Sequence, residues 1–322
     1  MNWLKYVAKG LIHGGLDASG APHRRRDALR GHLLVLTYHS FGDGVPQGLF
    51  GALPVRQFER HLRYLRSHFC MVSLEQGVGN IRAGAVEHQP FLALTIDDGF
   101  EDNFTFAWPL LKQYGVPATV FLATDFIDSG RPPWPTQIVE ILERATLNVM
   151  SFPFPARLGS LKEKIAVARN LQHQWAPLPP GERFELLEAL RAHLRVPVDW
   201  VRRPLRWDQI RTMRDHGVRF GSHTEFHSYL PVSSDKVVAD ELLGSKRRIE
   251  DELGEPCRLF AFPDGAFDDR CVDAVRVAGF EAAVTQVKGS NVGTTTPYTL
   301  HRIEVPSHDP FATFRCRSAL AL

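Results

Sequence analysis

Two adjacent carboxylates, Asp97 and Asp98, follow the apolar run Phe91-Leu92-Ala93-Leu94 and the pair Thr95-Ile96. Unpaired negative charge is costly to bury at the end of such a strand, so the pair requires a cation. Downstream, Gly221-Ser222-His223-Thr224-Glu225-Phe226-His227 spaces two histidines four apart. On a helix both imidazoles would share one face and could close on a single ion. One carboxylate and two histidines with open positions for water form a hydrolytic metal site. Asp98, His223 and His227 are therefore the expected ligands of a divalent ion, and the nitrogen-rich set favours Zn²⁺. Asp97 is left over as general base, taking a proton from a water that the metal acidifies toward a pKa of about 7. A lone histidine beside Gly221-Ser222 would read as a loop or cap residue. Two at ligand spacing, with an Asp-Asp pair elsewhere in the chain, favour metal.

The surrounding sequence alternates strand-like and helix-like segments. Leu33–Leu36 reads as a buried strand ending at His39, and Val55–Ser67 carries Phe58, Leu62 and Leu65 at helical spacing. A strand at 91–96, a helix over about 104–114 and a strand at Ala118–Leu122 follow. After an interruption come a helix from Trp207 to His216, a strand at Val218–Phe220 and a long helix around 235–253. Strands near 258–262, 281–285 and 299–305, with a helix over Asp268–Ala278, complete the set. Repeated βα units predict an α/β protein with a parallel sheet, closed as a barrel or left open. Residues 131–204 break the pattern, with helix-like runs at about 137–148, 159–172 and 182–194 and no strand signal. They read as a helical insertion over the barrel rim.

The motifs resemble those of a known family. Thr95-Ile96-Asp97-Asp98-Gly99 followed by His223-Thr224-Glu225-Phe226-His227 is similar to the signature of the polysaccharide deacetylases, carbohydrate esterase family 4. Thr37-Tyr38-His39-Ser40, Gly115-Val116-Pro117-Ala118-Thr119-Val120-Phe121, Phe260-Ala261-Phe262-Pro263-Asp264-Gly265 and Leu300-His301-Arg302-Ile303 resemble further family blocks, in the family's order. The resemblance covers roughly residues 33–130 and 205–315. It implies a distorted (β/α) barrel of about seven parallel strands, with catalytic groups at the carboxyl ends of strands. It also implies removal of an N-acetyl group from an amino sugar, in a poly- or oligosaccharide or a glycolipid precursor. An acid must then protonate the departing amine.

Many members carry an arginine before the third-block proline and a late Leu-x-His acid; here that block reads Phe262-Pro263-Asp264. Arg302 is the alternative holder of Asp97, with a surface arginine the competing reading. The candidate acids are His39, His301 and His308. His39 is preferred because it ends an apolar strand, and alternation puts His301 on the opposite face from Arg302. Pro263 and Gly265 are expected to shape a turn at the pocket rim. Trp207 and Trp134 are expected either to stack on a sugar or, the safer reading for each alone, to pack.

Composition narrows the rest. Cys70, Cys257, Cys271 and Cys316 form no Cys-x-x-Cys pair, which fits packing in a reducing compartment. No apolar run is long enough to span a membrane, and the N-terminus lacks a secretory h-region. Residues 1–30 hold six basic residues against two acidic ones, leaving 32 basic and 34 acidic in the other 292. The chain thus divides into a basic leader at 1–30 and a catalytic domain at 31–322 with its insertion at about 131–204. Trp3, Leu4, Val7 and Leu11 share a helical face, which reads as a surface helix or as an interfacial one with a basic flank. Residence is expected in the cytoplasm, at the inner membrane face in the second case. Basic residues without interleaved aromatics exclude a nucleic-acid groove. Two other classes compete: a hydrolase of another small amide or imide on the same fold, and a non-catalytic carbohydrate-binding relative. The second would be expected to have lost Asp97 or a ligand, and the chain keeps them all.

Overall fold

The computed structural model describes residues 27–43, 51–197 and 199–320. The basic leader lies outside them except for residues 27–30. Strand β1 (Leu33–Tyr38) leads through α1 (Val55–His68), the two-residue β2 (Cys70–Met71) and α2 (Leu74–Arg82) to β3 (Phe91–Ile96). A π-helical turn at Asn103–Ala107 runs into α3 (Trp108–Tyr114), followed by β4 (Ala118–Leu122) and α4 (Thr124–Ser129). Then come α5 (Trp134–Arg144), an antiparallel ribbon of β5 (Val149–Met150) and β6 (Ala156–Arg157), α6 (Leu161–Trp175) and α7 (Pro180–His193). The βα pattern resumes with α8 (Trp207–Arg214), β7 (Arg219–Ser222), α9 (Asp235–Leu253), β8 (Leu259–Ala261), α10 (Asp269–Val277) and β9 (Ala282–Val284). It ends with β10 (Ile303–Glu304) and α11 (Phe311–Leu320).

Seven strands in the order β10-β1-β3-β4-β7-β8-β9 pair in parallel and curl into a distorted (β/α) barrel, with β2 added beside β3. All residues of β1, β3 and β4 are buried, as a parallel sheet covered on both faces requires. Leu33, Val35, Phe91, Ala93, Phe121, Leu259, Ala261 and Val284 form one cluster although they come from five strands, so they line the concave face. Their alternates, Leu34, Leu36, Leu92, Leu94, Val120 and Phe260, pack under the outer helices. This parity fixes the site: continuing Phe91, Ala93 and Thr95 by two residues puts Asp97 on the concave side.

The expected strand at 299–305 is broken. Residues 297–299 form a 3₁₀ turn, Leu300 bridges Val284 of β9, and only Ile303–Glu304 pair with β1. The break coincides with Arg302 turning inward to an ion pair with Asp97. The segment 300–304 therefore joins β9 to β1 and nearly closes the ring.

The insertion has its own apolar cluster, including Trp134, Ile138, Leu142, Leu171, Leu187 and Leu190. Its β5–β6 ribbon gave no strand signal in the sequence, because each strand is two residues long. The four cysteines are unpaired. No helix among the described residues is long and apolar enough to cross a membrane.

Candidate metal centre and active site

Asp98, His223 and His227 are buried, and one donor atom of each lies within 4.8 Å of the others. The Nε2 atoms of His223 and His227 lie 3.6 and 3.5 Å from Asp98 Oδ1, with the two rings nearly perpendicular at 80°. The histidines do not share a helix as their spacing suggested. They lie in the loop after β7, where Thr224 (φ 67°) and His227 (φ 51°) take left-handed conformations that bring His227 back toward His223. Asp98 has φ 73°, which turns it from the strand end toward the same point. Left-handed non-glycine residues cost energy and concentrate at functional sites.

Supporting bonds orient these donors. His223 Nδ1 bonds the Ala261 carbonyl at 2.7 Å, fixing the tautomer that leaves Nε2 with a free lone pair. The Trp134 indole N–H donates to the His227 carbonyl at 2.9 Å. Glu241 of α9 accepts from the backbone N–H of Glu225 and Phe226, each at 2.8 Å, and from the Ser228 hydroxyl. The donor set thus fits a divalent cation: two neutral imidazole nitrogens and one carboxylate, buried, with one tautomer fixed by a backbone acceptor. Burial pushes the Asp98 carboxyl up, but His227, His39 and His223 outweigh this and hold it well below the usual carboxylate range. Burial likewise lowers His223, while contact with Asp98 overcomes burial at His227 and raises it.

Asp97 lies beside this cluster in a bidentate pair with Arg302, at 2.8 and 2.7 Å. Arg302 is fully buried; its Nε donates to the Thr285 carbonyl at 2.7 Å and its Nη1 reaches Thr95 Oγ1 at 3.3 Å. Burial raises the Asp97 carboxyl, and Arg302, with His223 and His39, more than offsets this and keeps it ionised at lower pH than usual. His39 directly follows β1 and is half-buried, near enough to contribute an electrostatic pull on both Asp97 and Asp98. His301 is turned toward Gly289 with its Nδ1 buried, and His308 is exposed in the turn before α11.

Pro263 and Gly265 form the turn after β8, next to the Ala261 carbonyl that anchors His223. Gly265 has φ 67°, and a Cβ there would lie 2.4 Å from the Gln286 backbone nitrogen, so only glycine fits. Trp207 starts α8, half-buried; its indole N–H donates to Asp128 at 2.7 Å and its ring centroid lies 5.0 Å from the Arg248 guanidinium. Trp134 is 5% exposed, so it supports His227 from beneath rather than offering a face to solvent.

Sequence reasoning assigned no role to Glu241 or Asp102. Glu241 stands on the buried face of α9 with Val238, Leu242 and Ser245, and a carboxylate at such a position was the available signal. Asp102 accepts the Ser40 hydroxyl at 2.5 Å and the Asn103 amide at 2.8 Å, while that amide also donates to the His39 carbonyl at 2.9 Å. Burial pushes the Asp102 carboxyl up to about 7, against the pull of Ser40, the Phe41 N–H, Asn103 and Arg202. Because an unfolded aspartate titrates near about 3.9, stability from this group is present below about pH 4 and lost as pH rises through about 7. Asp102→Asn is therefore expected to flatten the fall of the urea midpoint across that window. An unchanged pH slope in the variant contradicts the assignment.

The polysaccharide deacetylase family model matches residues 85–283. The chain belongs to that family. Among relatives, YxkH of Bacillus subtilis, provisionally named a polysaccharide deacetylase, is 19% identical over 274 residues, 85% of this chain and 71% of that one. Among solved structures, the Streptococcus pyogenes deacetylase PplD in complex with acetate superposes with TM-score 0.62 at 16% identity, covering 90% of this chain and 98% of that one. IcaB from Ammonifex degensii gives 0.59 at 17% identity, covering 90% and 97%. A de-N-acetylase from Aggregatibacter actinomycetemcomitans gives 0.57 at 16% identity, covering 88% and 98%. At these identities the superpositions establish a shared deacetylase fold, matching the curled parallel sheet.

Proposed function

We propose that the protein is a metal-dependent hydrolase that removes N-acetyl groups from an amino-sugar-containing poly- or oligosaccharide or glycolipid precursor. The observation that carries this reading is the convergence of Asp98, His223 and His227 beside an arginine-held Asp97 at the carboxyl ends of barrel strands. Asp98, His223 and His227 would hold a divalent ion, Zn²⁺ for so nitrogen-rich a set, which would supply Lewis acidity toward an amide carbonyl and a water. Asp97 accepts the proton of the attacking water, and Arg302 holds its carboxylate ionised and oriented for that task. As the amide C–N bond breaks, His39 gives a proton to the departing amine, leaving acetate and a free amino sugar. Asn103 and Asp102 fix the backbone around His39. Pro263 and Gly265 place the turn that borders the substrate, and Trp207 stands at the rim.

The acetate carried by the S. pyogenes deacetylase is the expected product of such a reaction. The chain's place in the family and its retention of Asp97 and all three donors support an enzyme over a non-catalytic relative. The reaction is placed in the cytoplasm, on a cell-envelope precursor before export, with residues 1–30 as the segment that could meet the inner membrane face. Acetate release from N-acetylglucosamine oligomers, compared with small acetamides and cyclic imides, tests the substrate class. Turnover confined to the oligomers is expected. Faster turnover of a small amide or imide transfers the reading to that alternative.

A further inference from the structure

His223 and His227 are held in different ways. The His223 ring is fixed through Nδ1 by the Ala261 carbonyl, whereas His227 Nδ1 is buried without a hydrogen-bond partner among the described residues. A metal-binding histidine is ordinarily oriented by a bond to its second ring nitrogen. His227 must instead be placed through its backbone, which is left-handed at φ 51° and costly to hold there. That task falls to the supports of the turn 224–228. Thr124 and Asp125, at the start of α4, donate their backbone N–H groups to the carbonyls of Thr224 and Glu225, at 3.3 and 3.0 Å. Glu241 of α9 accepts the N–H groups of Glu225 and Phe226. Residues 227 and 228 are reached from the helical insertion.

Arg183 lies on the buried face of α7 with Leu187 and Leu190, at the i, i+4 and i+7 positions of an otherwise apolar stripe. A guanidinium there is costly unless it is bonded and paired. Arg183 is 2% exposed; its Nη2 donates to Ser228 Oγ at 2.6 Å, and Glu241 supplies counter-charge. The Ser228 hydroxyl has one proton and gives it to Glu241, so it accepts from Arg183 and the three groups form one directed relay. The Arg183 guanidinium also lies 5.1 Å from the ring centroid of Trp134, whose indole N–H holds the His227 carbonyl at 2.9 Å. Side chains from α5 and α7 thus converge on the backbone of His227 and its neighbour. We propose that Arg183 and Trp134 are positioning residues for His227, through which the insertion sets how tightly the site holds its ion. The proposal rests on the reading of Asp98, His223 and His227 as metal donors.

Competition for Zn²⁺ between the metal-free full chain and a chromophoric chelator tests it, paired with thermal melting of the metal-free proteins. Ser228→Ala, Arg183→Met and Trp134→Phe are each expected to raise the Zn²⁺ Kd by roughly tenfold, the lower end for groups that orient ligands. Ser228→Ala cuts the relay with both charges in place, so it carries the test even where Arg183→Met does not fold. Arg183→Lys, which keeps the charge and a donor, is expected to fall between Arg183→Met and the parent. Arg183→Met and Ser228→Ala break the same relay, so their double variant is expected to bind no more weakly than the weaker single. Val167 belongs to the insertion's own core, and Val167→Ala is expected to lower the melting temperature with Kd within about twofold of the parent. A parent that binds Zn²⁺ no more tightly than His223→Ala removes the metal reading and this proposal with it. Binding lost in His223→Ala but unchanged in Ser228→Ala and Trp134→Phe overturns the positioning role alone. An equal rise of Kd in Val167→Ala does so as well, because it reduces Arg183 and Trp134 to general packing.

Discussion

Arg302→Leu is expected to destabilise the protein by about 3–5 kcal/mol, because it strands a carboxylate in the barrel centre. Asp97 is 1% exposed and Arg302 fully buried, and the two bonds between them, at 2.8 and 2.7 Å, carry the compensation for that burial. The arginine also closes the gap between β9 and β10 through the Thr285 carbonyl. The Asp97→Asn/Arg302→Leu double variant should recover a large part of the loss, since neither member of this pair is then a buried charge without its partner. Urea denaturation of the three proteins measures both effects. A loss below about 1 kcal/mol in Arg302→Leu, the range of exposed pairs, would contradict the claim that this buried pair compensates the burial of Asp97.

The second large effect is on turnover. Asp97→Asn and His39→Ala should each lower kcat by about 10²–10⁴-fold, the range of a lost general base or acid, with metal content unchanged. The two differ in stability: Asp97→Asn leaves Arg302 buried without its anion, whereas His39 is half-buried at a strand end. Near-normal turnover of His39→Ala, with loss in His301→Ala, would move the acid to His301. His301 is turned toward Gly289, whereas His39 directly follows β1 beside the strand that leads into Asp97, which is why His39 is the first variant to make.

The barrel was legible in the sequence where strands are buried on both faces. Phe91–Ile96 and Leu33–Tyr38 are unbroken apolar runs because helices cover one face and the concave core the other. The same reading missed β2, α2, α4, α11 and the β5–β6 ribbon, which are short or carry mixed patterns. It also ran a continuous strand through 299–305, where an inward arginine breaks the pairing. That arginine's partner lies 205 positions away, a distance over which local pattern carries no information.

At the site, residue types were readable and conformations were not. The four-residue spacing of His223 and His227 suggested a helix, yet the loop reaches the same convergence through left-handed Thr224 and His227. Glu241, Asp102 and Asn103 escaped notice because their roles depend on contacts that folding alone creates: with the backbone of 225–228, with Ser40, and with the His39 carbonyl. A buried carboxylate on the apolar face of α9 was the one trace of this in the sequence.

The central claim is that Asp98, His223 and His227 together hold one divalent ion on which hydrolysis depends. Elemental analysis of the purified protein, paired with acetate release from N-acetylglucosamine oligomers, addresses it directly in Asp98→Ala and His223→Ala. The account predicts one ion per chain in the parent, and loss of both ion and acetate release in each variant. Full metal occupancy in either variant, or undiminished acetate release without metal, would contradict it.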